Sequence, residues 1–76
     1  MKMRRANAIL LMVFLLQEKG FFTRDEIIQQ TGLAASSFFL ALSDFRCFLV
    51  EFRPFFELEF SKEEDAYRLK EMKLEG

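Results

Sequence analysis

The sequence predicts a mostly α-helical single domain with a small β-hairpin, and three observations carry that expectation. Apolar residues recur at helical spacing from Phe38 to Phe52, a Thr-x-x-Glu capping signature opens a short segment at Thr23, and residues 56–60 and 66–70 alternate with period two. The chain has 76 residues, and dividing it would leave neither half enough apolar surface to close a core. One domain is therefore expected over residues 1–76.

The first helix is expected over 4–19, stopping at Gly20, which supplies a left-handed cap. Its apolar residues run nearly all the way round, so it should be sandwiched within the fold or shared with another subunit. Arg4 and Arg5, preceded by Lys2, oppose the helix dipole and so face phosphates or water. The basic start and the apolar run Ala8 to Leu16 imitate a secretory signal, yet no small-residue cleavage site precedes Gln17-Glu18-Lys19-Gly20. The run also falls well short of the about 20 residues a membrane span needs, so a buried helix is expected and no membrane partner.

Thr23-Arg24-Asp25-Glu26 reads as a capping box that starts a second helix over 24–31, with Phe22 placed to staple against Ile27. Ile27 and Ile28 should point inward and Gln29 and Gln30 outward, ending at Thr31-Gly32. The third helix is expected over 35–52. Phe38, Leu42, Phe45, Leu49 and Phe52 step by four, three, four and three residues, one stripe at about 100° per residue. Pro54 then forbids helix at the residue before it. A strand over Phe48 to Phe52 is the rival reading. Two strands follow, 56–60 and 66–70, around a polar loop from Ser61 to Asp65 that lacks a turn glycine. The charged tail from Glu71 is expected to fray.

Composition narrows the chemistry. Eleven phenylalanines are a large apolar load for so small an interior. Single cores of this size supply only about 3 to 5 kcal/mol and commonly lean on a disulfide, a metal or a partner. Cys47 is the one cysteine and histidine is absent, which leaves oligomerisation as the expected support. A lone cysteine fits a reducing, cytoplasmic setting. No histidine, no activated cysteine and no glycine-rich phosphate cradle point away from an enzyme, and no cofactor is expected. Glu63-Glu64-Asp65 reads as a solvated turn rather than a metal site. The formal net charge of −1 gives no global attraction to nucleic acid, so any DNA face must be local.

Three helices followed by a hairpin, with a capped second helix and a glycine turn before the third, is the order of a three-helix winged helix-turn-helix. Thr23-Arg24-Asp25-Glu26-Ile27-Ile28-Gln29-Gln30-Thr31-Gly32-Leu33 resembles the opening of DeoR-type and WYL-associated transcriptional regulators, and Tyr67-Arg68-Leu69 resembles the strand closing their wing. In that resemblance Ser37, Phe38, Leu42 and Phe45 take the places of the third helix's threonine, isoleucine and two leucines. Leu40 stands where the family has its DNA-contacting arginine, Ala41 where aspartate is usual, and Ala34 where a capping serine is usual.

The resemblance implies a dimeric DNA-binding module of a transcription regulator with double-stranded DNA as its partner. Ser36, Ser37, Ser43 and Arg46 would sit near the groove, with Arg4, Arg5, Lys62 and Arg68 on phosphates. The alternative reading comes from the residues themselves. Phe39, Leu40 and Val50, with Cys47, lie off the core stripe of the third helix, where an apolar patch marks a protein interface, either in a homo-oligomer or with another protein.

Overall fold

The computed structural model describes residues 4–72. They form α1 (Arg4–Lys19), β1 (Phe21–Phe22), α2 (Arg24–Thr31), α3 (Ala35–Phe52), β2 (Phe56–Ser61) and β3 (Ala66–Glu71). Three helices thus meet a three-stranded antiparallel sheet of order β1-β3-β2. All three helices span the expected residues, and Phe48 to Phe52 are helix rather than strand. No single described helix is long and apolar enough to cross a membrane.

The local signals act as their chemistry dictates. Gly20 takes φ +85° and its amide donates to the carbonyls of Leu15 and Leu16, closing α1. The Glu26 amide donates to Thr23 Oγ1 at 3.1 Å while the Thr23 amide donates to Glu26 Oε1 at 3.0 Å, a complete capping box. Lys19 reaches across from the end of α1 to the same carboxylate. That ammonium holds the Glu26 carboxyl below its ordinary value, against the opposing effect of its partial burial. Ala34 sits at the N-cap of α3 in extended geometry and makes no side-chain cap. The hairpin turn solves its lack of glycine with Asp65, which takes φ +54°, a conformation that short polar side chains tolerate.

The sheet is organised around Tyr67. It pairs with Phe22 on β1 and with Phe60 on β2, so the three rings share one face. Their centroids lie 5.2 Å and 4.8 Å from the tyrosine ring, and Phe38 of α3 approaches it at 6.0 Å. Below that layer Ala8, Met12 and Leu15 of α1, Ile27 of α2, and Ala41, Leu42, Phe45 and Leu49 of α3 close the core. Phe22 is buried here, as is Ile27, but its ring stacks on Tyr67 from a strand, a role beyond the expected staple. The register carries β3 on to Glu71, opposite Phe56, so the chain is still paired where fraying was expected. The rest of the tail, Lys73 to Gly76, lies outside the described residues.

Two expectations need correction. Phe52 is 55 % exposed and lies outside the core. A stripe stepping by four and three averages 3.5 residues per turn and drifts round a 3.6-residue helix, and Phe52 to Phe55 are exposed together at the end of α3. Phe52 rests on Phe48 at 5.1 Å instead. Nor is α1 sandwiched within one chain, because Leu10 and Phe14 remain 67 % and 56 % exposed.

Burial sets apart phenylalanines of equal size. Phe38→Ala is expected to lose about 3–5 kcal/mol, comparable with the whole stability of so small a core, and Phe52→Ala about 0.5 kcal/mol or less, as read from urea midpoints. Ala34→Ser should gain about 1 kcal/mol by supplying the missing N-cap acceptor; an unchanged midpoint would show that the cap is already satisfied by water.

Candidate nucleic-acid interface

The outer side of α3 follows from the same helical arithmetic as its core side. Ser36, Leu40, Ser43, Cys47 and Val50 step by four, three, four and three residues, opposite the buried Phe38, Leu42, Phe45 and Leu49, and all five are exposed. Phe39 and Arg46 lie along one margin of this stripe and are exposed as well, whereas Ser37, toward the other margin, is half-buried. The three residues singled out for association stay open to solvent, Phe39 at 48 %, Leu40 at 54 % and Val50 at 75 %. Phe39 is partly anchored by an edge contact with Phe38 at 5.1 Å. Below Val50 an open groove of about 320 Å³ is lined by Arg46, Leu49, Val50, Pro54, Phe56 and Met72.

Ion pairing divides the cations. Arg5 Nε meets Asp44 Oδ2 at 3.2 Å, with both side chains about half exposed. Asp44 and Glu51 are the acids of α3, and this contact partly offsets the repulsion of Asp44 toward an anion while engaging Arg5. Arg68 donates to Glu64 and lies over the Phe21 ring at 5.5 Å. It stands on the face of the sheet opposite Tyr67, and so away from α3. Arg4 extends its guanidinium beside Gly32 at the C-terminal end of α2, where the helix carbonyls favour a cation. Arg46, Lys62 and Arg4 make no ion pair among the described residues.

Tyr67 feels two cations from different helices. Burial pushes its phenol above the ordinary value, Arg46 and then Arg24 pull it back, and Asp65 adds a small upward push. Arg46 from α3 and Arg24 from the first turn of α2 therefore lie within electrostatic reach of one hydroxyl, with the hairpin turn nearby. Arg24 escaped the sequence reading because it lies inside the capping box, where only Thr23 and Glu26 have an obvious task. Its position at the start of the helix preceding α3 was the available signal. The Arg5–Asp44 pair escaped because the two residues are far apart in sequence and on different helices.

The candidate residues thus separate into a group on α3 (Ser36, Ser43, Arg46), a half-buried Ser37, an isolated Lys62 in the hairpin turn, Arg4 beside Gly32, and Arg5, Arg24 and Arg68, each engaged by a carboxylate. No protein-family model, curated protein or solved structure matches this chain in sequence or fold.

Tyr67 is the only tyrosine and there is no tryptophan, so its ionisation can be followed by absorbance. It should titrate above the about 10 of free tyrosine, and Arg46→Ala should raise it further, since a nearby cation favours phenolate. Because the folded value is raised, this linkage is neutral to stability below the unfolded value and destabilises the fold as pH rises past it. A downward shift in Arg46→Ala would place Arg46 elsewhere.

Proposed function

We propose that this chain is a winged-helix DNA-binding module of the kind found in DeoR-type and WYL-associated transcription regulators, working as a dimer. The observation that carries the reading is that Ser36, Ser43 and Arg46 stand exposed on the outer side of α3, with Asp44 paired to Arg5. Element order agrees with it: a capped α2, a left-handed Gly32 at φ +76°, a longer α3 and then a hairpin.

In this reading the outer side of α3 from Ser36 to Arg46 enters the major groove. Ser36 and Ser43 donate to phosphates or base edges, and Arg46 supplies the one guanidinium able to reach a guanine bidentately. Leu40 and Phe39 offer apolar contact to thymine methyl groups, the one base feature such side chains can read. Lys62 holds the phosphate backbone, and Arg24, Arg5 and Arg68 contribute less because Asp25, Asp44 and Glu64 engage their charge. So few base-reading groups make the module a weak discriminator alone, which is why two copies are needed to read two half-sites.

A second reading has its own observation. Leu40, Cys47 and Val50 on one exposed stripe, with Phe39 beside it, form an apolar surface that suits a protein partner as well as a groove. There α3 is covered by protein and DNA binding is weak or absent.

A fluorescently labelled duplex separates the two. DNA binding predicts affinity that falls steeply with salt, and Arg46→Ala should weaken it while lowering the salt slope by about 1. Absence of salt-dependent binding at micromolar protein would overturn the DNA reading and favour the second.

A further inference from the structure

The outer face of α1 has a pattern that neither the core nor α3 explains. Asn7, Leu10, Phe14 and Gln17 are all exposed and step by three, four and three residues, the spacing of the two seam positions in a heptad. Ala8, Met12 and Leu15 occupy the opposite, buried face. The order along the seam is amide, apolar, apolar, amide, which reads the same from either end. Val13 and Ala6 border it on one side, so among the described residues the seam and that border carry no charge.

A surface that is unchanged by reversal is what an antiparallel two-fold contact requires, since each copy presents the same patch to the other. We propose that α1 pairs antiparallel with α1 of a second copy of this chain. Leu10 of one copy then packs on Phe14 of the other, Asn7 meets Gln17 at both ends, and Leu11 and Val13 flank the two-fold axis. The charges agree with this direction. On the other border of the seam Arg4 and Glu18 occupy equivalent heptad positions, both exposed and neither in an ion pair among the described residues. Antiparallel packing sets this border against the same border of the partner and brings Arg4 of each copy beside Glu18 of the other, whereas parallel packing would set it against the uncharged Ala6 and Val13 border and leave both charges unmatched.

Beside Val13 and Gln17 an open groove of about 210 Å³ runs on between α1 and α3, lined also by Leu16, Phe45, Phe48 and Phe56. It extends the apolar surface available to the second copy. The seam itself spans only about 15 Å, ten residues at 1.5 Å each, so the contact lies at the small end of stable interfaces and the dimer should be concentration-dependent. The outer side of α3 stays free in it. The proposal supplies the subunit contact for the dimer of the preceding reading and rests on that reading only for the purpose of the dimer, since the seam itself is independent of DNA.

Sedimentation equilibrium of the full chain over a concentration series is the test, with far-UV circular dichroism on each variant. The wild type should show a monomer–dimer equilibrium. Leu10→Glu and Phe14→Glu, both at exposed positions, should be monomeric with unchanged helical content. Arg4→Glu and Glu18→Arg should each weaken the dimer several-fold, and the double exchange should restore it. A monomeric wild type at every concentration overturns the proposal, as does a dimer that survives Leu10→Glu, or a double exchange no better than either single one. A dimer lost in Phe39→Glu but kept in Leu10→Glu also overturns it, by placing the contact on α3. Duplex binding is scored separately: its absence from an intact α1 dimer would overturn the DNA reading alone.

Discussion

Three phenylalanine rings meet at Tyr67, and the arrangement of the rest of the chain depends on that meeting. β1 is only two residues long and could not persist as a strand alone; it is held because Phe22 stacks on Tyr67 across the β1–β3 ladder. Phe60 does the same from β2, and Phe38 ties the layer to α3. The connection from α1 to α2 is thereby fastened to the hairpin, and the first half of α3 is fixed relative to both. The same phenol feels the charge of Arg46 and Arg24 from two different helices.

An interior built this way fills quickly. Phe22, Phe38 and Phe45 are buried, while Phe14, Phe39, Phe48, Phe52, Phe55 and Phe60 keep much of their surface in solvent. A chain that leaves so much aromatic area uncovered presents surfaces of the kind that mark association. They fall on different sides: α1 presents Leu10 and Phe14 between two amides, and α3 presents Phe39 and Leu40 among serines. The first is self-complementary and suits a second copy, whereas the second is mixed and suits a groove of alternating polar and apolar base edges. Separating the two faces lets subunit pairing and ligand contact coexist.

Most of the elements were legible in the sequence because their signals are local. A Thr-x-x-Glu box, a glycine after a basic residue, a four-three apolar stripe and a proline each act within a turn or two of chain, and the helices follow them. What was not legible depends on partners distant in sequence. β1 exists only because β3 pairs with it. Phe52 follows the apolar stripe of α3, yet it meets Phe48 at the surface and stays half exposed. The candidate site shows the same division: exposure of Phe39, Leu40 and Val50 follows from their angle to the core stripe, but the pairing of Asp44 with Arg5 requires tertiary contact.

The central claim is that the outer side of α3, with the start of α2 and the hairpin turn, is the ligand-binding face while α1 is the subunit face. Amide chemical-shift mapping of the isotope-labelled chain on adding a short duplex tests it most directly. The account predicts shifts concentrated on Ser36 to Arg46, Arg24 and Lys62, with Leu10, Phe14 and Gln17 unmoved. Shifts centred on the α1 seam, or none on α3 at saturating duplex, would contradict it.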